Sequence, residues 1–421
     1  MAEQFKRKGE SQAAEILEKL ANSQNEPQPS KKPREGSPDD KVGFIAERIA
    51  IPLGTLKNRR KQLAGTNLVY DKADEKTRKG LDASRSKEWK KWMDFNAGVI
   101  VEGKELEDLL AEGAPEIPTQ WIETDKNAHL KRQGKEHEHV PEYKSRMVAC
   151  GHHEDAEGIR ADSPTYKTEG FNIICSFAAC NGYRLKTGDL TNAYFTADNM
   201  DRLLLLRPPR GGIPEMRGRE PYRIAANKPV YGTKDAGRKF YNTFKKRALE
   251  CGLIEMRLCR SLYAYYEKDK LVILAGAHVD DIMWAADPKH EYIITEQLFS
   301  HFLLNHIHEN KFRFCGRDYE QDSEGTVTIT CKNNIEKILP IKYERRGRKA
   351  DDKADVQEIS QGRSVIGSLA WIARQARPEY CYSTSRLQSV IAQAKFKHIQ
   401  QCNAVLQDIQ ATSDILSLIH I

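Results

Sequence analysis

The stretch that decides the fold is LVILAGAHVDDIMWAAD, residues 271–287. An apolar run, residues 271–277, leads into the adjacent carboxylates Asp280 and Asp281, and a second apolar run, residues 282–286, follows them. Two short apolar runs on either side of a tight polar turn predict a buried β-hairpin. The two carboxylates are therefore expected at the tip of the hairpin, beside a hydrophobic core.

Adjacent carboxylates in this setting need a compensating charge. Two anions beside a core are costly unless a cation offsets them, and a divalent metal ion usually does so. The same dipeptide occurs at residues 39–40 and 351–352, where the surrounding sequence is polar and demands no partner. Only the pair at residues 280–281 therefore indicates a binding site.

A third carboxylate, Asp189, lies in a similar setting. Residues 171–180 have a helical pattern that ends at Asn181-Gly182, and residues 183–186 then alternate apolar and basic side chains, as a half-buried strand does. Asp189 lies at the end of that strand. Two acidic sites at strand ends, if brought together, are able to hold two Mg²⁺ ions for phosphoryl transfer. The alternative is that these are ordinary turn aspartates, and the carboxylates alone do not decide between the two.

A strongly basic segment, residues 221–250, separates the two acidic sites. Phe240 and Phe244 recur there at helical spacing, which predicts an amphipathic helix with its aromatic stripe in the core. The basic side chains, Arg238 and Lys239 among them, are then free to face a phosphate backbone.

Composition narrows the class of protein. The chain has 421 residues, which suggests about three domains, with 39% hydrophobic and 30% charged residues. No apolar run approaches the ~20 residues of a membrane helix, and the first residues lack a secretory h-region. Nine scattered cysteines without C-x-x-C spacing argue against a disulfide scaffold or a zinc finger. An intracellular location, cytoplasmic or nuclear, is expected, and a net charge of +7 permits a polyanionic partner.

The sequence texture predicts four segments. A helix is expected over residues 84–112, with Trp89, Trp92 and Phe95 on one side. The four segments are a disordered polar tail (1–40), a helical lead-in (41–115), a region of alternating strands and helices (116–330), and a charged loop followed by helices (331–415). Within the lead-in, residues 41–65 alternatively form a DNA-binding helix-turn-helix.

Eight motifs in order resemble the reverse transcriptase domain of copia-type LTR retrotransposons, over roughly residues 117–412. They are KSRMVACG (144–151), DSPT (162–165), GDLTNAYF (188–195), LLLLRPPRGG (203–212), PVYGTKDAGRKFY (229–241), HVDDI (278–282), FRFCGRDY (312–319) and GRSVIGSLAWIARQARPE (362–379). GDLTNAYF is similar to the family's D-V-K-N-A-F, and HVDDI to its Y-V-D-D-I. Eight motifs in the correct order are far more specific than any one of them.

This resemblance implies the fold and the activity. The fold would be an α+β right-hand polymerase, with fingers and a ferredoxin-like palm containing an antiparallel sheet at residues 116–330. A helical thumb or connection-like segment would follow at 331–415. The activity would be RNA-directed DNA polymerisation, with nucleotides transferred from dNTPs to a primer 3′-hydroxyl on an RNA or DNA template. Two Mg²⁺ ions, or Mn²⁺, would be the cofactors. RNase H, integrase and protease segments are expected to be absent, and no oligomeric state is predicted.

The resemblance also implies site residues. Asp189, Asp280 and Asp281 would be catalytic and, with the backbone carbonyl of Leu190, would bind the metal ions. The incoming nucleotide would be bound by Lys144, Arg146, Tyr194 and Lys234. Of these, Tyr194 would be a steric gate against the ribose 2′-hydroxyl, and its alternative role is that of a core aromatic. Nucleic acid would be contacted by Arg238, Lys239, Phe314, Cys315, Gly316, Lys342, Arg345, Arg346, Arg348 and Lys349.

Two departures from the family pattern leave an alternative function open. His278 stands where the family has Tyr, and Gly237 stands where it has Pro. Both acidic motifs are intact, but the departures affect the positioning of template or nucleotide. The alternative is a catalytically inactive nucleic-acid-binding remnant of a retroelement. A loose candidate zinc cluster, whose spacing matches no structural zinc module, consists of His137, His139, Cys150, His152 and His153.

Overall fold

The computed structural model describes residues 67–128, 130, 136–155, 157–219, 221–413 and 417–419. The predicted disordered tail, residues 1–40, and the alternative helix-turn-helix, residues 41–65, lie outside the described residues. All described residues belong to one compact unit of the chain, Lys57–Ile421.

The described chain contains fifteen β-strands and nine α-helices. The strands are β1 (Gly98–Glu102), β2 (Glu116–Asp125), β3 (Tyr143–Ala149), β4 (Leu185–Leu190), β5 (Leu205–Arg207), β6 (Tyr222–Ala226), β7 (Ile254–Glu255), β8 (Leu262–Glu267), β9 (Lys270–His278), β10 (Asp281–Ala286), β11 (Leu304–Glu309), β12 (Lys311–Phe314), β13 (Arg317–Gln321), β14 (Val327–Thr330) and β15 (Ser417–Ile419). The α-helices are α1 (Glu75–Asp94), α2 (Gly103–Ala111), α3 (Thr168–Asn181), α4 (Ala193–Thr196), α5 (Ala236–Glu250), α6 (Lys332–Ile335), α7 (Val356–Gln375), α8 (Cys381–Val390) and α9 (Phe396–Ala411). Short 3₁₀ turns and one π-helical turn, Ile293–Leu298, join them.

A six-stranded antiparallel sheet, in the order β11-β4-β10-β9-β8-β7, contains the predicted hairpin as β9 and β10. Both faces of β10 are covered. Ile282 and Trp284 pack in a core with residues of α5, whereas Met283 and Ala285 pack in another core with residues of α3. Because neighbouring side chains point to opposite faces, burial of both faces explains why the strand is apolar at every position.

Helices α3 and α5 cover the two faces of this sheet and confirm the sequence patterns that predicted them. The C-cap of α3 is Gly182, whose φ of 64° lies in the left-handed region that favours glycine. In α5 the side chains of Phe240 and Phe244 are buried, and the helix therefore holds its aromatic stripe in the core, as expected.

A second sheet, in the order β1-β6-β5-β2-β3, packs against α1. Its pairs are antiparallel except for β2 with β5. The helix predicted over residues 84–112 is wrong in its middle, because α1 ends at Asp94 and residues 98–102 form β1. Asn96, with a φ of 50°, turns the chain, and the Val-Ile-Val run that follows favours a strand. Trp89 and Trp92 are buried on one side of α1, as expected.

A third sheet has the order β12-β13-β14-β15. Its first three strands precede the C-terminal helices in the chain, and β15, which follows those helices, pairs with β14. Helix α7 begins with a capping box, in which the Asp355 side chain accepts from the Glu358 N–H and the Glu358 side chain accepts from the Asp355 N–H. Buried residues of α7, α8 and α9 form a separate core that includes Leu369, Ile399 and Leu406. The predicted helical segment is therefore present.

The described part of the chain is an α+β structure built on antiparallel sheets, as the sequence predicted. Within it, no helix is both long and apolar enough to cross a membrane.

Candidate active site

Strand pairing brings the three predicted carboxylates together. In the register of β4 with β10, Asp189 lies directly opposite Asp281. The backbone N–H of Leu190 donates a 2.8 Å hydrogen bond to the carbonyl of Asp280, which fixes the hairpin tip to the end of β4. Directly opposed residues have their Cβ atoms roughly 4.5–5.5 Å apart. The side chains of Asp189 and Asp281 are therefore close enough to act at one site.

The turn that contains Asp280 and precedes Asp281 is strained. Val279 and Asp280 form the two-residue connection between β9 and β10, and Val279 has a φ of 58°. A β-branched residue rarely adopts this left-handed conformation, which costs on the order of 1–3 kcal/mol. The hairpin pairing and the packing of Val279 against the core of the sheet hold the turn in this conformation.

The carboxylates repel one another. Burial and then the charges of Asp280 and Asp189 together raise the pKa of Asp281 to about 6. Burial and the charge of Asp280 also raise the pKa of Asp189. No salt bridge to any of the three forms among the residues that the structure describes. Oxygen ligands with unneutralised negative charge fit a divalent ion such as Mg²⁺.

Two predicted nucleotide-binding cations face the same site from β3. Lys144 and Arg146 are two positions apart, so their side chains leave the same face of the strand. The positive charges of both lower the pKa of Asp189, against the effects that raise it. The guanidinium of Arg146 lies over the Tyr231 ring, 4.9 Å from its centroid. This face of β3 therefore provides positive charge beside the carboxylates.

Tyr194 belongs to an aromatic cluster next to the site. Its ring meets that of Tyr231 edge-to-face at 5.0 Å and that of Phe240 at 6.5 Å. Burial and then the charge of Asp280 raise the pKa of Tyr194. The ring thus contacts the core on one side and is near the carboxylates on the other, so both its gate role and its core role stay predictions.

The other predicted cations of this region already have protein partners. The Lys234 ammonium donates to the backbone carbonyl of Glu154. Arg238 pairs with Asp162 at 2.9 Å, and Lys239 pairs with Asp201 at 2.7 Å. Both aspartates are exposed, and such surface pairs contribute little stability. A phosphate group is therefore able to replace either aspartate.

Three residues that were predicted to contact nucleic acid, Phe314, Cys315 and Gly316, lie in the hairpin between β12 and β13. Phe314 is only 2% exposed and packs against Phe171 of α3, so its ring is a core residue and cannot contact nucleic acid. Its burial follows from strand alternation in β12, which the motif alone did not reveal. The half-buried Cys315 and Gly316 form the turn, and both have positive φ. For Cys315 and Gly316, the contact with nucleic acid stays a prediction.

The basic run predicted to contact the duplex is a loop, and one of its members differs from the others. Arg348 pairs with the buried Glu358 through both carboxylate oxygens, and its guanidinium lies over the Phe396 ring at 4.3 Å. Arg348 is therefore engaged in holding this loop to α7 and α9. The exposed members of the run are Lys342, Arg345, Arg346 and Lys349.

A cluster that the sequence did not indicate lies beside the carboxylates. One ligand atom from each of His278, Asp281 and Cys315 lies within 4.8 Å of the other two. Three residues of this kind from two separate hairpins cannot be recognised as neighbours from their spacing. The one available signal was His278 in place of the family's Tyr. By contrast, His139 of the loose candidate zinc cluster, whose spacing matches no zinc module, is paired with Asp125 at 2.6 Å.

Gly237, the other departure from the family pattern, is explained by a close approach. A Cβ at this position would lie 2.5 Å from the Oγ atom of Ser163. Glycine therefore allows the start of α5 to pack against the DSPT segment, and any side chain here would displace Ser163.

A palm-like antiparallel sheet with three clustered carboxylates and two facing cations defines the class of nucleotide-transferring polymerases. Residues 109–344, more than half of the chain, match the family model described as reverse transcriptase (RNA-dependent DNA polymerase). The chain belongs to this family, as the reverse transcriptase domain of a copia-type retrotransposon. Members of this family generally use divalent metal ions.

Relatives with curated descriptions agree with the family. The chain is 23% identical over 392 residues to the retrovirus-related Pol polyprotein from transposon RE2 of Arabidopsis thaliana, covering 86% of this chain and 25% of that protein. For the RE1 polyprotein of the same plant the identity is 22% over 368 residues, covering 81% and 23%. The Ty1-BL Gag-Pol polyprotein of Saccharomyces cerevisiae is 30% identical over 118 residues, or 27% of this chain and 6% of that protein. The chain thus spans about a quarter of the length of the plant relatives.

Among solved structures, the chain is similar to the foamy viral protease-reverse transcriptase in complex with ds DNA. The TM-score is 0.34 and the sequence identity 12%, and the match covers 64% of this chain and 42% of that one.

Proposed function

We propose that this chain is itself an RNA-directed DNA polymerase that transfers nucleotides from dNTPs to a primer 3′-hydroxyl with two metal ions. The observation that carries the proposal is the register of β4 with β10, which sets Asp189 opposite Asp281 and beside Asp280. The template would be RNA or DNA paired with a primer.

The metal ligands would be carboxylate oxygens of Asp189, Asp280 and Asp281, with the backbone carbonyl of Leu190. When bound, two Mg²⁺ or Mn²⁺ ions lower the pKa of the attacking hydroxyl and offset the negative charge that develops at the phosphorus. The raised pKa values of Asp189 and Asp281 support this assignment, because burial and the repulsion among the carboxylates outweigh the positive charge placed near them.

The nucleotide would be held by the cations of β3. Lys144 offers a point charge and Arg146 a planar fork, and both suit a triphosphate. Lys234 retains donor capacity for a phosphate oxygen, because an ammonium has three donors and one is used on Glu154. These three side chains would orient the triphosphate so that the α-phosphate faces the primer end.

Primer extension tests the proposal directly. The full chain is given a homopolymer template–primer, the complementary dNTP and Mg²⁺, and incorporation is compared with that of Asp280→Asn. We expect the variant to lose a factor of roughly 10² or more in rate, the scale on which removal of an essential charge-stabilising group acts. Asp269→Asn is the matched control, because exposed Asp269 lies in the turn before β9 with a φ of 67° that asparagine tolerates.

The same assay distinguishes an active polymerase from the alternative function. Tight, salt-sensitive binding of the template–primer without any incorporation by the wild-type chain would identify a catalytically inactive nucleic-acid-binding remnant. Incorporation that survives in Asp280→Asn would contradict the assignment of the carboxylates.

A further inference from the structure

Two hairpins bring three metal-binding side chains of different chemistry together. His278 is the last residue of β9, Asp281 is the first of β10, and the two are directly paired across the strained turn. Cys315 comes from the separate hairpin between β12 and β13, where its φ is 46°. One ligand atom from each of the three lies within 4.8 Å of the other two.

These side chains have no protein partner that would account for their position. All three are half-buried, and across the described ranges of the chain none of them makes a side-chain hydrogen bond. Polar atoms without a protein partner bind water or an ion instead. A cluster of an imidazole, a carboxylate and a thiol without partners leaves its ligand atoms available to an ion.

The donor set distinguishes this cluster from the site of the carboxylates. Mg²⁺ takes oxygen ligands, and so it suits Asp189 and Asp280 but gains nothing from a thiol or an imidazole. Zinc binds nitrogen, sulfur and carboxylate oxygen, and a site with three protein ligands leaves its fourth position open. The mixture of one nitrogen, one oxygen and one sulfur therefore selects zinc over magnesium.

The geometry is within reach of a tetrahedral site. With zinc–ligand distances of about 2.0–2.3 Å, ligand atoms lie roughly 3.3–3.8 Å apart. Because the three ligand atoms lie within 4.8 Å of one another, the site requires a contraction of at most about 1–1.5 Å. Side-chain rotation of His278 and Cys315, both next to turns, is sufficient for a movement of this size.

We propose that His278, Asp281 and Cys315 form a zinc site, distinct from the magnesium site and sharing only Asp281 with it. A zinc ion here binds Asp281, which is then no longer available to a magnesium ion held by the neighbouring carboxylates. The zinc ion lies between the tip of the β9–β10 hairpin and the turn at Cys315 and Gly316. Zinc would consequently inhibit polymerisation in competition with magnesium. That consequence rests on the proposed function, whereas zinc binding itself does not.

Cobalt(II) is the probe, because it takes zinc geometries and a cobalt–thiolate bond absorbs in the near ultraviolet. The full chain is titrated with Co²⁺ in excess Mg²⁺, and Zn²⁺ is then added. We expect a thiolate band that saturates at one ion per chain and that Zn²⁺ abolishes. The band should disappear in Cys315→Ser and require at least tenfold more Co²⁺ in His278→Tyr, which restores the family's residue. Cys251→Ser, which removes another half-buried thiol, should leave the band unchanged.

Thermal unfolding gives a second measurement that does not depend on the spectrum. An ion that binds only the folded chain raises its midpoint. Zn²⁺ should therefore raise the midpoint of the wild type and of Cys251→Ser, but not that of folded Cys315→Ser. A band that persists in Cys315→Ser, or no band and no shift in the folded wild type, overturns the zinc site. If the wild type incorporates no nucleotide, the proposed function fails, but the cobalt and unfolding results still decide whether zinc binds.

Discussion

At the scale of single residues, the site combines groups that are costly in the absence of a ligand. Asp281 is half-buried next to two other carboxylates, and Val279 beside it is held in the left-handed region. Strain and uncompensated charge persist only where the surrounding structure holds them, and they concentrate at functional sites. The backbone strain and the repulsion between carboxylates both occur at the turn between β9 and β10. This coincidence indicates that the geometry of the turn serves binding more than stability.

The raised pKa of Asp281 gives a prediction for stability. Its pKa rises from a usual value near 3.8 to about 6, so the folded chain holds this proton more tightly than the unfolded chain. The resulting stabilisation is fully present below pH ~4 and is lost as the pH rises through about 6. In metal-free buffer, Asp281→Asn should therefore be more stable than the wild type at pH 7.5, by roughly 1–2 kcal/mol once solvent screening of this half-buried carboxylate is included. The difference should close near pH 4, and urea unfolding at the two pH values measures it.

Asp351 provides a control, because the ionised form of its carboxylate stabilises the folded chain, whereas that of Asp281 destabilises it. Its hydrogen bonds to Lys397 and Lys395 lower its pKa to about 2. A lowered carboxyl pKa stabilises the folded chain above the unfolded value, and this stabilisation is lost as the pH falls toward about 2. Asp351→Asn should thus reduce stability at pH 7.5. An Asp281→Asn variant that is also less stable at pH 7.5 would show that the carboxylate is compensated in the folded chain.

Tyr194 gives a prediction for substrate choice. If its ring is the steric gate, Tyr194→Ala should raise incorporation of ribonucleotides relative to deoxyribonucleotides by tenfold or more, or about 1.4 kcal/mol. Tyr194→Phe keeps the ring and should keep the discrimination. Because the ring also packs on Tyr231 and Phe240, the alanine variant should lose stability through a cavity. Equal losses for both sugars in folded Tyr194→Ala would assign the ring to the core alone.

At the scale of elements, the hairpin of β9 and β10 was predictable and its surroundings less so. Its apolar runs, the end of α3 at Gly182 and the aromatic stripe of α5 are local patterns, and the structure has all three. The break of the predicted helix after Asp94 was missed because the helical pattern of Trp89 and Trp92 masked the strand that follows.

The missed parts of the site depend on contacts that are distant in sequence. Cys315 reaches His278 and Asp281 only through the arrangement of two hairpins, and Arg348 meets Glu358 and Phe396 only once the loop folds onto the helices. The carboxylates were found because their chemistry is unusual in an apolar sequence. The sequence marked two members of the Cys315 cluster, Asp281 as an unusual carboxylate and His278 as a departure from the family pattern, but nothing in it indicated that Cys315 lies beside them.

The strained turn gives a prediction for the hairpin as an element. At an ordinary strand position, glycine is less stable than alanine by roughly 0.5–1 kcal/mol. At Val279 the order should reverse, because alanine keeps the left-handed penalty of about 1–2 kcal/mol and glycine removes it. We therefore expect Val279→Gly to unfold at higher urea concentration than Val279→Ala. Val99, an exposed valine in β1, is the control and should show the usual order. If alanine is the more stable at both positions, the turn is not strained.

At the scale of the whole molecule, the basic residues that remain available define where nucleic acid would be held. The helix α5 carries Arg238 and Lys239, whose exposed partners a phosphate is able to replace. The loop before α7 carries Lys342, Arg345, Arg346 and Lys349, which are exposed, and Arg348, which is not. Contacts of this kind position a duplex without distinguishing its sequence. The chain is thus expected to bind template–primer duplexes of different sequence with similar affinity.

The salt dependence of duplex binding tests this role of the loop. Each phosphate contact contributes a slope of about 0.9 to the fall of log affinity with log salt. Replacing Lys342, Arg345 and Arg346 together by alanine should therefore weaken binding and flatten the slope by about two to three units. Fluorescence anisotropy of a labelled template–primer at several salt concentrations measures both quantities.

Arg348→Ala is the matched control within the same run, because its cation is already neutralised by Glu358. Its loss should leave the slope unchanged and instead reduce stability, since the buried carboxylate of Glu358 would lose its charged partner. The two variants thus separate a surface that binds phosphates from a cation that holds the loop. An unchanged slope in the triple variant would make the run a solvated linker. A flattened slope in Arg348→Ala would mean that the duplex displaces Glu358, so that the loop must rearrange when nucleic acid binds.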